Sequence, residues 1–332
     1  MKVMQTINCR TLDNSQEICS KVKKLLDANC ECVRINLKNF TDSDIKRVDK
    51  LLRCIAKVDK ELKLKIAIDI PASKAKYRLH IKEAIEFQKG VRFIICKSNY
   101  TIDEALKAYI DESFFENIKN IKTGDILYWG DGEGKLKIVN KYKDHLEVRT
   151  ENDFYFYDNK SISRFYKSIK LDNKQKNYLT HIIENYNITL IFLSFCETVT
   201  DVEYFKKLYP QLLICSKIET QLGIDNIDEI LSVSDGIMIA RGDLMLNTPL
   251  NHFLNTQNYL AQKTVSSNKK LFIATDILTS MNKQELPSRS DLCDIELITS
   301  YSTSGIILKA SFFHNNRFSL VMDLINRIIE ME

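Results

Sequence analysis

Residues 216–250 read SKIETQLGIDNIDEILSVSDGIMIARGDLMLNTPL, and this stretch decides the fold. An apolar run at 212–215 leads into Lys217 and Glu219, two residues apart. On extended backbone, side chains two apart point the same way, so an ammonium and a carboxylate share one face. Ile227, Ile230 and Leu231 fall at helical spacing and predict a helix over 225–233, with Asp225 placed to cap it. A second apolar run, 236–240, then delivers Arg241-Gly242-Asp243. Two buried strands that each end in charge, with a helix between them, form the repeating unit of a parallel α/β sheet. Such sheets keep their chemistry at the C-terminal strand ends, which places Lys217, Glu219, Arg241 and Asp243 along one rim.

Working outward, the same rhythm extends in both directions. Apolar runs near residues 3, 32, 65, 190, 212, 236, 270 and 305 read as strands, with helix-period segments between them. Eight strands with intervening helices predict a closed (β/α)8 TIM barrel. The alternation breaks after the third strand. From 77 to 170 the chain shows short alternating runs and turn signals, including the glycine cluster at 130–134. The expected organisation is therefore a barrel from 1–76 and 171–332, with a small antiparallel β domain, lid-like, inserted at 77–170. Trp129 reads as part of the insert's core.

Composition narrows the function classes. The 48 basic and 44 acidic residues give a net charge of +4, too balanced to point to nucleic acid. The nine cysteines are odd in number and scattered, several within apolar runs where a thiol behaves as a small hydrophobe. No second pair completes Cys30 and Cys32 into a zinc set, and none of the five histidines shows metal-ligand spacing. A reducing, cytoplasmic setting is expected, with no membrane segment and no signal peptide. A lysine–glutamate pair alone is more often a solvated ion pair worth about 0–1 kcal/mol. Arg241-Gly242-Asp243 in register with it turns the reading toward a site.

The central stretch resembles the pyruvate kinase family, whose corresponding segment runs from an SKIE element to an MARGDL element. The likeness runs in order along the whole chain. Val33-Arg34-Ile35-Asn36-Leu37 resembles MRLNF, and Ile68-Asp69 opens the counterpart of LLDTKGPEIR. Thr123-Gly124-Asp125 resembles the start of the family's inserted domain, and Leu193-Ser194-Phe195 resembles ASF. Residues 274–281 resemble ATQMLESM, and Pro287-Ser288-Arg289 resembles PTR. The resemblance implies phosphoryl transfer from phosphoenolpyruvate to ADP, followed by protonation of the enolate. It implies that Glu219 and Asp243 bind Mg2+ or Mn2+, and that Lys217 stabilises the transferring phosphoryl group and the enolate. Arg34 would contact phosphate, and Thr275 would lie near the site of proton delivery. Main-chain N–H groups of Arg241, Gly242 and Asp243 would hold the substrate carboxylate, with Ser194 on the same rim and Lys76 on the substrate. Asn36 and Asp69 match ligands of a monovalent cation. A loop cap for Asp69 and a turn residue for Asn36 are the rival readings, and the site reading is preferred for both.

Several positions depart from the family pattern. Lys38 and Asn39 replace a serine and a histidine, Lys76 an arginine, Asp276 a glutamine and Glu197 an arginine. Lys309-Ala310-Ser311 stands where SGE is expected. The metal and enolate half is thus retained and the nucleotide half altered. Beside the kinase reading stand two others: a metal-dependent lyase or decarboxylase of a 2-oxo acid, and a non-catalytic ligand sensor. The partners expected are a phosphoenolpyruvate- or pyruvate-like small molecule and possibly a nucleotide. The family's C-terminal regulatory domain has no counterpart in this sequence, so a monomer or homodimer is expected, without sugar-phosphate control.

Lys74 takes the place of a family glutamate, and a lysine sits there in members that do without potassium. An ammonium can supply the fixed charge of a bound cation. Any phosphotransfer is therefore expected to be independent of potassium. A turnover that rises severalfold when potassium replaces sodium would contradict this.

Overall fold

The computed structural model describes all residues except 10–13, 38–40, 72–76, 82, 98–105, 111–113, 116–120, 130–132, 159, 164–170, 249, 316 and 331–332. Lys38, Asn39, Lys74, Lys76 and most of the glycine turn at 130–134 lie outside the described residues.

The chain opens with β1 (Lys2–Ile7), β2 (Cys32–Asn36) and β3 (Lys65–Ile70). The insert carries β4 (Arg78–Leu79), β5 (Ile85–Phe87), β6 (Arg92–Lys97), β7 (Lys107–Ile110) and β8 (Ile126–Trp129). It continues with β9 (Gly134–Lys141), β10 (His145–Thr150), β11 (Phe154–Phe156) and β12 (Lys160–Ser163). Then follow β13 (Ile188–Leu193), β14 (Leu213–Ile218), β15 (Gly236–Ala240), β16 (Lys270–Ala274) and β17 (Gly305–Leu308). Strands β1–β3 and β13–β17 close into an eight-stranded barrel in the order β1-β17-β16-β15-β14-β13-β3-β2, every pairing parallel. The expected TIM barrel with an inserted sheet after its third strand is what the chain forms.

Alternation along each strand explains both the core and the rim. Met4, Cys32, Ala67, Leu190, Phe192, Cys215, Met238, Ala240, Phe272, Ala274 and Ile307 make one buried cluster drawn from all eight strands. Residues two or four further along share that side: Arg34 and Asn36 after Cys32, Asp69 after Ala67, Lys217 after Cys215, with Ser194 and Glu219 just past the ends of β13 and β14. The period of two therefore stacks a polar layer on an apolar one at the C-terminal strand ends.

Helices cover the barrel with faces dictated by their sequence. Helix Asp42–Val58 starts in a capping box between Thr41 and Asp44 and buries Val48, Leu51, Leu52 and Ile55. The helix expected over 225–233 is instead two short pieces, Gln221–Asp225 and Ile227–Val233, joined at Asn226. Asp225 does not cap; its carboxylate accepts from Gln221 Nε2 at 2.9 Å. The cap of the first piece is Thr220, whose hydroxyl accepts the Gly223 N–H at 3.1 Å. A lone acid before an apolar stripe was a weaker signal than a threonine three residues ahead of a glycine.

By connectivity the chain divides into two compact units, Met1–Ala72 with Ser168–Glu332, and Ser73–Lys167. The second holds a seven-stranded sheet in the order β4-β12-β8-β9-β10-β6-β7 and a two-stranded sheet, β11-β5. Its pairings are antiparallel except for β6 with β7, which run parallel. That exception and the two- to four-residue strands β4, β5, β7 and β12 were not anticipated; such runs are too short for a periodicity to show. Trp129 is fully buried and stacks on Phe156, ring centroids 4.9 Å apart, inside an aromatic core with Phe87, Phe93 and Phe154.

One glycine is fixed by strand packing. A Cβ on Gly236, at the start of β15, would sit 2.3 Å from the Lys270 carbonyl oxygen of β16. The carbonyl belongs to backbone paired with Gly236 itself, so it does not yield cheaply. Gly236→Ala should cost about 1–3 kcal/mol of stability, read as a lower urea midpoint at unchanged slope.

Candidate active site

The rim is centred on Lys217, whose side chain is only 8 % exposed. Its Nζ lies 3.3 Å from Asp69 Oδ2 and 3.3 Å from Glu219 Oε1, and donates to Ser194 Oγ at 3.1 Å. Burial alone would depress the ammonium, but Asp69 and Glu219 outweigh it and hold the group above the ordinary lysine range. Lys217 and Glu219 are thus no solvated pair. They are carried inward because Cys215, Lys217 and Glu219 alternate onto the lumen side, and because β14 runs on to Ile218.

Asp69 is fully buried and still charged. Burial opposes its ionisation, yet Lys217 and Arg34 beside it hold the carboxyl below the usual carboxylate range. Arg34 Nε donates to Asp69 Oδ2 at 2.9 Å, its Nη2 makes a closer contact with the same oxygen, and its Nη1 donates to Thr6 Oγ1 at 3.2 Å. Ser194 Oγ donates to the other oxygen at 3.0 Å. The parallel register sets Asn36 opposite Asp69, so these two side chains stand on neighbouring strands at one level. The arginine of β2, the aspartate of β3, the serine after β13 and the lysine of β14 form a single hydrogen-bonded chain.

Glu219 is held differently. Its Oε2 accepts the Phe195 N–H at 2.7 Å, and Phe195 takes a left-handed φ of 51° to present it. A bulky residue in that region is strained, and the strain is retained where it aims a donor. Burial pushes Glu219 above the usual carboxylate range; Lys217 pulls it back only in part, and Asp243 adds to the rise. Asp243 sits in the first turn of helix Arg241–Asn247 and acts electrostatically on both Lys217 and Glu219. A buried Glu219 whose ionisation is opposed by burial and by the nearby charge of Asp243, with the Lys217 ammonium in contact, suits a divalent cation such as Mg2+ or Mn2+. Mg2+ typically takes one or two protein carboxylates and completes its shell with substrate oxygens and water. Among the described residues no group of three or more His, Cys, Asp or Glu side chains forms a complete metal cage.

The remaining wall is a tense loop after β16. Thr275 has φ +81°, and Asp276 and Leu278 are also left-handed at 56° and 51°. Arg241, expected only to offer its N–H, uses its side chain as a brace: Nε and Nη2 donate to the Thr275 carbonyl at 3.0 and 2.5 Å. The same guanidinium pairs with both oxygens of Asp294 at 2.5 and 2.8 Å. Asp291, one turn earlier on helix Arg289–Ser300, accepts the N–H groups of Thr279 and Ser280 at 3.1 Å each. A Cβ on Gly242 would lie 3.2 Å from Thr275 Cγ2, so the glycine lets the threonine close on the helix start. Asp291 and Asp294 were missed by sequence reading; their i, i+3 spacing on a helix was the available signal. Asp276, an acid where the family pattern has a glutamine, pairs with Lys309. Glu197 accepts from Thr220 Oγ1 at 2.8 Å, and burial raises its pKa.

In sequence and fold the chain is similar to known proteins. The family profile described as "Pyruvate kinase, barrel domain" matches residues 2–310. A pyruvate kinase of Thermococcus litoralis is 26 % identical over 296 residues, covering 86 % of this chain and 61 % of its own length. One of Borreliella burgdorferi is 29 % identical over 297 residues, covering 86 % and 60 %. The chain thus spans about 60 % of the length of these relatives. A crystal structure of a pyruvate kinase from Cryptosporidium parvum superposes with a TM-score of 0.81 over 98 % of this chain and 68 % of that one, at 21 % identity, a likeness of fold.

The Arg241 brace makes a measurable claim. Asp294→Ala leaves the guanidinium, 10 % exposed, without its carboxylate partner. It should cost about 2–4 kcal/mol in denaturant unfolding, with Asp294→Glu losing less.

Proposed function

The chain belongs to the pyruvate kinase family, and from that premise we propose that it transfers the phosphoryl group of phosphoenolpyruvate to ADP, giving pyruvate and ATP. The observation that carries the proposal is Lys217: a buried ammonium in contact with Asp69, Glu219 and Ser194 at the C-terminal end of the barrel.

Phosphoryl transfer rests on positioning and on charge that stabilises the oxygens between donor and acceptor. In the proposed reaction the bond between phosphorus and the enol oxygen breaks, a bond to the terminal phosphate oxygen of ADP forms, and the enolate takes a proton at its methylene carbon. A lysine held above its ordinary range stays an ammonium through neutral pH, so Lys217 serves as fixed positive charge toward the phosphoryl and enolate oxygens rather than as a base. Arg34, fixed on Asp69, adds a second cation on the same side. The turn at Arg241-Gly242-Asp243 offers main-chain N–H groups to the substrate carboxylate, and the Thr275 hydroxyl stands beside it as the group near proton delivery. Mg2+ or Mn2+ on Glu219 and Asp243, when bound, would supply Lewis-acid charge to the same oxygens. Asp69, already paired with Arg34 and Lys217, gives additional support to activity without potassium.

A coupled assay with phosphoenolpyruvate, ADP and Mg2+ or Mn2+ tests this. Wild type should turn over, and Lys217→Met and Glu219→Gln should each fall by about 10²–10³-fold, the scale of losing one preorganised electrostatic contact. Equal rates in all three proteins would overturn the site. No turnover, with metal-dependent binding of oxalate, would replace transfer with ligand binding alone.

A further inference from the structure

A second feature of the barrel unit lies away from this rim, where helix Ser15–Asp27 packs beside helix Asp42–Val58. Between them is a cavity of about 780 Å³. Lys46, Lys50, Arg53 and Lys57 line it from one helix, at spacings of four, three and four that keep them on one face. The lining contains one acid, Asp49, whose Oδ1 accepts the Tyr178 hydroxyl at 3.2 Å. Two cysteines also line the cavity. Cys19, partly exposed, comes from the first helix, and Cys54, buried, from the second. Cys54 Sγ donates to the Ser15 carbonyl at 3.6 Å, one helical turn before Cys19, so the two thiols stand at neighbouring positions on the packed helices.

We propose that Cys19 and Cys54 are a redox pair that closes to an inter-helix disulfide by exchange with a small anionic disulfide admitted by the cationic cavity. Cys19 is the accessible member and attacks first. Its thiolate displaces one thiolate from the reagent and leaves a mixed disulfide. Cys54 then loses its proton to solvent and attacks the Cys19 sulfur, expelling the second reagent thiolate. The protein dithiol is oxidised by two electrons, the reagent disulfide is reduced to two thiols, and one S–S bond replaces another. Burial and the neighbouring Cys19 thiol keep Cys54 protonated at rest, which suits a resolving thiol rather than an attacking one. The four cations give an anionic reagent a higher local concentration than a cationic one, an advantage that salt screens. Other cysteines lack this arrangement: Cys293 is exposed, and Cys30 and Cys32 are buried.

The test incubates the reduced 332-residue chain with oxidised glutathione, which is anionic, or with cystamine, a cationic disulfide. Cysteine states are then mapped by mass spectrometry of proteolytic peptides. With oxidised glutathione, wild type should yield a peptide cross-linked between Cys19 and Cys54. Cys54→Ser should accumulate glutathione on Cys19, and Cys19→Ser should leave Cys54 reduced over the same period. Relative to the exposed Cys293, Cys19 should favour oxidised glutathione over cystamine by about tenfold at low salt, and the preference should shrink at high salt. Circular dichroism confirms that both variants are folded. Glutathionylation of Cys293 without a Cys19–Cys54 cross-link would overturn the pair. Equal or faster reaction of Cys19 with cystamine, on the same scale, would overturn the selection by charge.

Discussion

The whole rim depends on keeping one ammonium charged out of water. Taking a lysine into a barrel lumen costs several kcal/mol, and Asp69 and Glu219 offset that cost from two different strands. The compensation works only while β3, β13 and β14 hold their register, since a slip of one residue would turn every inward side chain outward. The register is itself maintained by the apolar layer beneath, where Ala67, Phe192 and Cys215 occupy the same three strands. Core packing and site electrostatics are in this sense one constraint seen at two levels.

A second tension sits across the barrel. Thr275 holds a backbone angle that its branched side chain disfavours, and it stays there because Arg241 grips its carbonyl while Asp294 grips Arg241. Strain of this kind is usually stored where geometry matters to chemistry. Helix Arg289–Ser300 supplies both aspartates that hold the loop, Asp291 from one turn and Asp294 from the next.

Most of the fold was legible because parallel barrel strands are short apolar runs with a clear period and helices between them. The run 236–240 and the stripe at 227, 230 and 231 are strong signals of that type. The polar members of the rim were legible for the same reason, since alternation carries them inward from residues that read as core. What sequence could not give was the backbone's departure from ordinary angles. No rule reads a left-handed Phe195 from its name, nor the use of Arg241 as a side-chain brace on Thr275. Pairing across distant segments was equally hidden: Asp276 and Lys309, which pair in the fold, are 33 residues apart along the chain. In the insert, three-residue strands such as β5 and β11 find each other through aromatic packing, which a short stretch of sequence does not announce.

The exposure of the pair Asp276 and Lys309 sets how far each residue depends on the other. Each residue differs from the family pattern, and together they cancel. The two side chains are 64 % and 40 % exposed, so water shields either charge when its neighbour is absent. Either charge alone would cost little, on the scale of about 0–1 kcal/mol for an exposed ion pair. Were the two positions as enclosed as Lys217 and Asp69, removing either partner would leave a buried charge uncompensated.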